Sequence, residues 1–198
     1  MLLTLIRHGQ STYNAVHRLN GDPAVPVHLD AVGRAQCAER TAELAERPFD
    51  VAVHTAFIRT QESLDILLAG RGVPRICIPE LGDVRLGVFE GRPVGEYRIW
   101  RAGRLPDDRP DGGESRIDAL TRYVDGAQRL LELEAHSVLA VLHDVPIRFI
   151  VNAANGDDPI DGPIQNVANM ELTIIDRPAL EAALQVMRAR IGLAPAAA

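Results

Sequence analysis

Short apolar runs, most of which stop at a polar turn, are the most regular feature of the chain. Such runs are typical of strands buried in a parallel sheet, whereas apolar residues repeating every three or four positions are typical of helices. The runs predict five strands, at residues 2–6, 51–53, 75–78, 137–142 and 171–175. The first, second and fourth of these strands end at a histidine, so we expect functional residues at their carboxyl ends.

Segments with helical periodicity separate the predicted strands. They predict helices that begin at Ser11, after Asp30, at Phe57, at Val94, after Ser115, near Pro146 and at Pro178. This alternation favours an α/β fold with a mostly parallel central sheet and helices on both faces, a three-layer α/β/α sandwich. We find no linker and no internal repeat, so we expect a single domain over residues 1–198 with a frayed Ala/Pro tail. The stretch at about 80–113, rich in Gly, Pro and charge, is expected to form a cap or lid over a site.

Composition and charge narrow the classes of function. All 21 basic residues are arginine, and the lack of lysine excludes phosphate-loop nucleotide sites, protein-kinase sites and Schiff-base chemistry. A formal charge of −6 without a basic run argues against nucleic acids and membrane surfaces as partners. Cys37 and Cys77 match no metal or redox spacing, so we expect buried free thiols. We recognise no signal peptide and no membrane span, and therefore expect a cytoplasmic protein.

Three of the predicted strands end in a similar way, with the histidines His8, His54 and His143. Ligands of open α/β sheets bind beyond the carboxyl ends of the strands, so these residues are candidates for one crevice. Arg7 precedes the first histidine, and Arg59 falls in the first turn of the helix after the second strand. Guanidinium groups match phosphate oxygens, and Gly9 is expected to let the backbone approach a ligand closely. The pattern predicts an anion site, with the role of His54 left open.

The stretch LIRHGQSTYN at residues 5–14 resembles the signature of the histidine phosphatase superfamily, in its phosphoglycerate-mutase-like branch. Further similar segments are Asn20-Gly21, residues 29–36, residues 57–60, residues 81–91, residues 112–115 and residues 141–143. The resemblance extends from residue 2 to about residue 175.

The resemblance implies specific roles for five residues. In this family the histidine of the Arg-His-Gly run attacks phosphorus and becomes phosphohistidine, which by position is His8. Arg7, Arg59 and His143 match the phosphate-pocket residues, and Asn14 matches a donor to the same oxygens. The resemblance implies neither a metal nor a cofactor, because arginines supply the positive charge. The implied substrate is a small phosphorylated metabolite.

Two carboxyl groups compete for the role of proton donor. The family usually has glutamate where this chain has Asp83, whose side chain is one methylene shorter. The acid-phosphatase branch uses the aspartate that directly follows its second histidine, which corresponds to Asp144 here. We favour Asp83, because the segment after it matches the family, and Asp144 is alternatively a helix N-cap. Glu90 is interpreted as structural.

Three functions remain open. A phosphomonoester hydrolase is favoured over a phosphoglycerate-type mutase, because the segment between Gly91 and Gly112 is shorter than the insertion of similar mutases. The third is an inactive module that binds a phosphate ligand or a protein.

A set of cap residues is interpreted as a solvated face, with a second anion site as the alternative: Arg85, Arg92, Tyr97, Arg98, Arg101 and Arg104. A homodimer is also open.

Overall fold

The computed structural model describes residues 1–193, so the predicted frayed tail at residues 194–198 lies outside the described residues. Its sheet consists of β1 (Leu2–Arg7), β2 (Val51–His54), β3 (Arg75–Cys77), β4 (Ser137–Leu142) and β5 (Leu172–Asp176). The strand order is β3-β2-β4-β1-β5. The first four strands are parallel, and β5 runs antiparallel to β1 at the sheet edge. The predicted mostly parallel sheet is confirmed.

The helices are α1 (Thr12–Ala15), α2 (Ala31–Leu44), α3 (Ile58–Leu67), α4 (Val94–Arg101), α5 (Arg116–Leu131), α6 (Asp144–Ala154) and α7 (Arg177–Arg190). Single 3₁₀ turns at Pro79–Leu81 and Gly87–Phe89 interrupt the segment between β3 and α4. Predicted and observed ends differ by a few residues. The helix predicted near Pro146 begins at Asp144, because proline is tolerated anywhere in the first turn, where its missing N–H has no partner within the helix.

Two cores cover the two faces of the sheet. Along β4, Val138, Ala140 and Leu142 belong to the larger core, whereas Leu139 and Val141 belong to the other. The larger core contains the buried faces of α5, α6 and α7, and the smaller one contains those of α2 and α3. This alternation along a strand with apolar residues on both faces confirms the three-layer sandwich.

The loop after β1 packs tightly on α2. A Cβ atom on Gly9 would lie 2.6 Å from the carbonyl oxygen of Gly33, and one on Gly33 would lie 2.0 Å from that of Gln10. Gly9 is therefore required for contact with a helix, and our expectation that it admits a ligand is wrong. The helix buries Gly33, Cys37 and Leu44, while Val32 is 52% exposed.

The two cysteines differ in environment. Cys37 is buried in the smaller core, as expected, but Cys77 is exposed, which contradicts the prediction of two buried thiols. The physical reason is topological, because Cys77 ends β3, a three-residue strand at the edge of the sheet. Within residues 1–193, no helix is both long enough and apolar enough to cross a bilayer.

Candidate active site

The register of two strands brings the first and last histidines together. β1 pairs with β4 so that Arg7 lies beside Leu142, and the His8 backbone N–H donates to the Leu142 carbonyl at 3.0 Å. His8 and His143 therefore leave the sheet side by side. Their rings meet edge to face, with centroids 5.2 Å apart.

The His8 ring is buried and held in one tautomer. Burial lowers its pKa well below the ordinary value, and the charges of Arg59 and Arg7 lower the pKa further. The ring is therefore neutral near pH 7. Its Nδ1 lies 2.7 Å from the Gly9 carbonyl oxygen, which can only accept, so Nδ1 carries the proton. The lone pair is left on Nε2, where the Arg59 Nε–H donates to it at 3.0 Å.

Arg59 is the buried centre of this site, and only 3% of its surface is exposed. Besides His8, its guanidinium donates to the side-chain oxygen of Asn20, and to the Asn20 carbonyl, Asp83 Oδ2 and His143 Nδ1, each at 3.2 Å. Burial lowers its pKa to about 10, so the group stays charged near neutral pH. One cation thus touches both histidines and the favoured proton donor.

His143 is fully buried at the N-cap of α6. Its Nε2 lies 2.9 Å from the hydroxyl of Thr55, which also accepts from the Phe57 N–H and contacts the Thr60 hydroxyl at 3.1 Å. The Thr60 hydroxyl in turn donates to the Phe57 carbonyl. Because the Thr60 hydroxyl donates to Phe57, it accepts from the Thr55 hydroxyl, which in turn accepts from His143. The His143 proton is therefore on Nε2, and Nδ1 is the acceptor for Arg59. Burial, and then Arg59, lower the pKa of His143.

The two candidate proton donors have different surroundings. Asp83 Oδ2 lies 3.2 Å from Arg59 and 3.6 Å from His143 Nδ1. Burial raises the pKa of Asp83 against the opposing effect of Arg59, and the charge of Asp144 raises it further. Asp144 Oδ1 accepts the Val167 N–H at 2.7 Å. Asp144 is the first residue of α6, and His143 precedes it at the cap, so the N-cap interpretation of Asp144 is wrong.

A second arginine fixes the backbone that carries Asp83. Arg122 donates to the carbonyls of Glu80, Gly82 and Asp83 at 2.7, 3.0 and 3.0 Å. It also forms an ion pair with the buried Glu114. Sequence reasoning missed this clamp, since an arginine on a helix gives no signal of the loop that it contacts.

Glu90 holds the loop that faces Arg59. Its two carboxylate oxygens accept from the Asn20 side chain at 2.8 Å and from the Gly21 N–H at 2.7 Å. Asn20 in turn accepts from Arg59. The contacts agree with the structural interpretation of Glu90 and add Asn20 to the residues that position the site.

These residues surround a cavity of about 230 Å³ at the carboxyl edge of the sheet. Six of the seven residues singled out from the sequence line it: Arg7, His8, Asn14, Arg59, Asp83 and Asp144. His143 lies behind the wall and contacts Arg59 and Asp83. The Asn14 side-chain oxygen accepts the Ser11 N–H at 3.1 Å, so its NH₂ group remains to bind an anion. His54 lies outside this cavity and contacts the Thr55 carbonyl.

The profile of the histidine phosphatase superfamily, branch 1, matches residues 3–189. The chain belongs to this superfamily. It is 27% identical over 186 residues to a 2,3-bisphosphoglycerate-dependent phosphoglycerate mutase of Beijerinckia indica subsp. indica, covering 86% of each chain. It is 32% identical over 165 residues to phosphoglycerate mutase 2, also 2,3-bisphosphoglycerate-dependent, of Gloeobacter violaceus, covering 76% of this chain and 74% of the relative.

Among solved structures, the alpha-ribazole phosphatase of Shigella flexneri has a TM-score of 0.81 at 24% identity, covering 89% of this chain and 90% of that one. This likeness shows that the two chains share a fold.

The cap residues singled out from the sequence divide into two groups. Tyr97, Arg98 and Arg101 line the cavity; Arg98 is exposed, whereas Tyr97 and Arg101 are partly buried, which contradicts the solvated face for these two. The other three residues, Arg85, Arg92 and Arg104, lie outside it; Arg92 forms an exposed ion pair with Glu96, and Arg104 stacks on Trp100. Within residues 1–193, no group of three or more His, Cys, Asp or Glu side chains is arranged to hold a metal ion.

We expect the two site histidines to be neutral and to carry their protons on opposite ring nitrogens. Nitrogen-15 NMR should find His8 protonated on Nδ1 and His143 on Nε2, with both rings still neutral at about pH 6, below the usual pKa. His8→Gln and His143→Gln variants assign the signals. Titration of either ring near its ordinary pKa, or the same tautomer at both, would contradict the site geometry.

Proposed function

We propose that this chain is a phosphomonoester hydrolase that acts through a phosphohistidine on His8. The observation that carries the proposal is the state of this ring: a buried, neutral imidazole whose Nδ1 proton is held by the Gly9 carbonyl. Its Nε2 lone pair accepts from Arg59 at the wall of a cavity that Arg7 also lines. Neutral imidazole is nucleophilic near pH 7, and the arginines match a phosphoryl group.

In the first step, His8 Nε2 forms a bond to phosphorus as the bond to the ester oxygen breaks. The Arg59 Nε–H, which donates to Nε2 in the resting site, has to transfer its hydrogen bond to a phosphoryl oxygen so that the lone pair is released. Arg7 and Arg59 would then neutralise the equatorial oxygens, and the Asn14 amide would donate to them. His143 would hold Arg59 in place from behind through Nδ1.

A carboxylic acid has to give the departing alkoxide its proton and then remove a proton from water. That water attacks phosphorus, the nitrogen–phosphorus bond breaks, and phosphate leaves with His8 neutral again. We assign the acid to Asp83, because burial raises its pKa and favours the protonated form that the first step needs. The Arg122 clamp supports this assignment, since it fixes the backbone from which the shorter side chain must reach.

Seven arginines line the cavity, and their charge supports a metal-independent reaction. We further propose a small phosphorylated metabolite as substrate. The homodimer considered above stays a prediction.

A phosphoglycerate mutase is the second candidate, and the names of the curated relatives favour it. Both enzymes would form the same intermediate on His8. They differ in the acceptor, because a mutase returns the phosphoryl group to another hydroxyl while a hydrolase gives it to water. Phosphate release measured beside phosphoglycerate isomerisation separates the two.

We expect His8 to be labelled by a phosphorus-32 aryl phosphate when the reaction is quenched in alkali. The His8→Ala variant should lose the label, because no other neutral imidazole lines the cavity among residues 1–193. His54→Ala is the matched control, since His54 also ends a strand but lies outside the cavity, and it should keep the label. A wild-type chain that neither labels nor turns over would favour the inactive binding module instead.

We expect the Asp83→Asn variant to hydrolyse an alkyl phosphate about 10²–10⁴ times more slowly than wild type, because the alkoxide then leaves without a proton. The loss should be smaller with 4-nitrophenyl phosphate, whose leaving group needs no proton. The Asp144→Asn variant serves as the comparison, because it removes one carboxylate in the same way. Near-normal turnover of alkyl phosphate by Asp83→Asn, with a large loss in Asp144→Asn, would transfer the role to Asp144.

A further inference from the structure

The connection between α6 and β5 passes the active site in its last part, residues 164–170, which we call the return segment. This stretch contains no helix or strand, and its Asn166 lines the cavity. Buried backbone groups of such a stretch need hydrogen-bond partners from elsewhere in the chain. The return segment finds them on two sides, along α6 and at the carboxyl end of β1. It therefore joins a helix to the residues that lead to His8.

Three polar side chains of α6 bind one side of the return segment: Asp144, Arg148 and Asn152. They follow one another at intervals of four residues, so they lie on the same face of the helix. The Asn152 amide accepts from the Ile164 N–H and donates to the Ile164 carbonyl, both at 3.0 Å. Arg148 donates to the Gln165 carbonyl at 3.0 Å, and Asp144 Oδ1 accepts from the Val167 N–H at 2.7 Å. Because all these contacts are to the backbone, this face of α6 fixes the path of the segment.

The other side of the return segment contacts the end of β1. The Arg7 NH1 donates to the Val167 carbonyl at 2.5 Å, and the Asn169 side chain donates to the His8 carbonyl at 2.8 Å. Val167 is buried, and the two sides meet at this residue. Its N–H donates to Asp144, and its carbonyl accepts from Arg7.

The orientation of Arg7 depends on this one carbonyl. Among residues 1–193, the Val167 carbonyl is the only acceptor that the Arg7 guanidinium contacts, and the buried Nε has no hydrogen-bond partner. Arg59, in contrast, donates to four other residues. An arginine side chain has many rotamers, so a single anchor decides which of them it adopts. Whatever fixes Val167 therefore fixes the guanidinium of Arg7 at the cavity wall.

We propose that Asp144 is a positioning residue for Arg7, because it fixes the Val167 backbone and with it the carbonyl that orients the Arg7 guanidinium. The proposal rests on the proposed hydrolase function, in which Arg7 neutralises the transferring phosphoryl group. It assigns to Asp144 the role of a hydrogen-bond acceptor, in place of the proton-donor role considered from the sequence. Asp144 thus acts on the phosphoryl group through Arg7, whereas Asp83 acts on the leaving oxygen.

Two substitutions at Asp144 separate an acceptor from an acid. Asp144→Asn keeps an oxygen for the Val167 N–H and should keep most of the wild-type kcat/KM. Asp144→Ala removes the acceptor and should lower kcat/KM at least about tenfold, as expected for a residue that orients a site group. The loss should be equal for an alkyl phosphate and for 4-nitrophenyl phosphate, because it occurs at the phosphoryl group. Since the charge of Asp144 raises the pKa of Asp83, each variant is compared at its own pH optimum.

Binding of inorganic phosphate, measured by isothermal titration calorimetry, tests the same contact without turnover. Asp144→Ala should raise the phosphate Kd about tenfold, whereas Asp144→Asn should leave it close to the wild-type value. In an Arg7→Gln background, the further change Asp144→Ala should have little effect, because the side chain that Asp144 positions is already absent.

Asp158→Ala is the matched control for the loss of a carboxylate that holds backbone in the same connection. Asp158 Oδ1 accepts from the Ile160 and Asp161 N–H groups at 2.8 and 3.0 Å, but the residue lies outside the cavity. This variant should keep the wild-type phosphate Kd and kcat/KM. Circular dichroism and thermal melting establish that each variant is folded.

An unchanged phosphate Kd in folded Asp144→Ala, or fully additive losses in the double variant, would overturn the proposal. A proton donor would be lost in both Asp144→Asn and Asp144→Ala, and mainly on the alkyl phosphate, so that pattern also overturns it. The Asp144→Asn result decides alone if the alanine variant fails to fold, because a large loss there contradicts the acceptor role. Absence of phosphate release from every substrate would instead overturn the proposed function, while the phosphate Kd values still test the role of Asp144.

Discussion

A buried guanidinium with one carboxylate beside it constrains everything else in the site. Taking a cation out of water costs several kcal/mol unless hydrogen bonds and opposite charge compensate for it. Arg59 meets that requirement with Asn20, Asp83 and the lone pairs of His8 and His143. Burial lowers the pKa of both imidazoles and the charge of Arg59 lowers it further, so they stay neutral and serve as acceptors. The nucleophilic state of His8 therefore depends on the position of Arg59 as well as on burial.

The fold supplies this arrangement through strand register. β1 and β4 end together, so the two histidines emerge side by side, and Thr55 from the end of β2 fixes the tautomer of His143. The segment with Asp83 closes the site from the other side, anchored by Arg122 on α5. Each group is thus held by an element of the central sandwich, which limits its motion when a substrate exchanges hydrogen bonds with it.

The helices, the strands and the residues at the strand ends were predictable from the sequence. The spacing of apolar residues distinguishes strands from helices, and chain position identifies the residues that follow each strand. The contacts that refine the site were not predictable, since they join residues far apart in sequence: Arg122 to Asp83, and Thr55 to His143. The role of Gly9 could not be predicted from the sequence for the same reason. Its sequence context suggested a ligand, but its small size serves packing against Gly33, a contact that only the folded chain reveals.

The central claim is that His8 receives the phosphoryl group before water does. Two successive in-line displacements preserve configuration at phosphorus, whereas direct attack by water inverts it. The decisive measurement is the stereochemical course of hydrolysis of an aryl phosphorothioate made chiral with oxygen-18, carried out in water enriched in oxygen-17. Net retention is the result expected from a phosphohistidine, and net inversion would contradict the role assigned to His8.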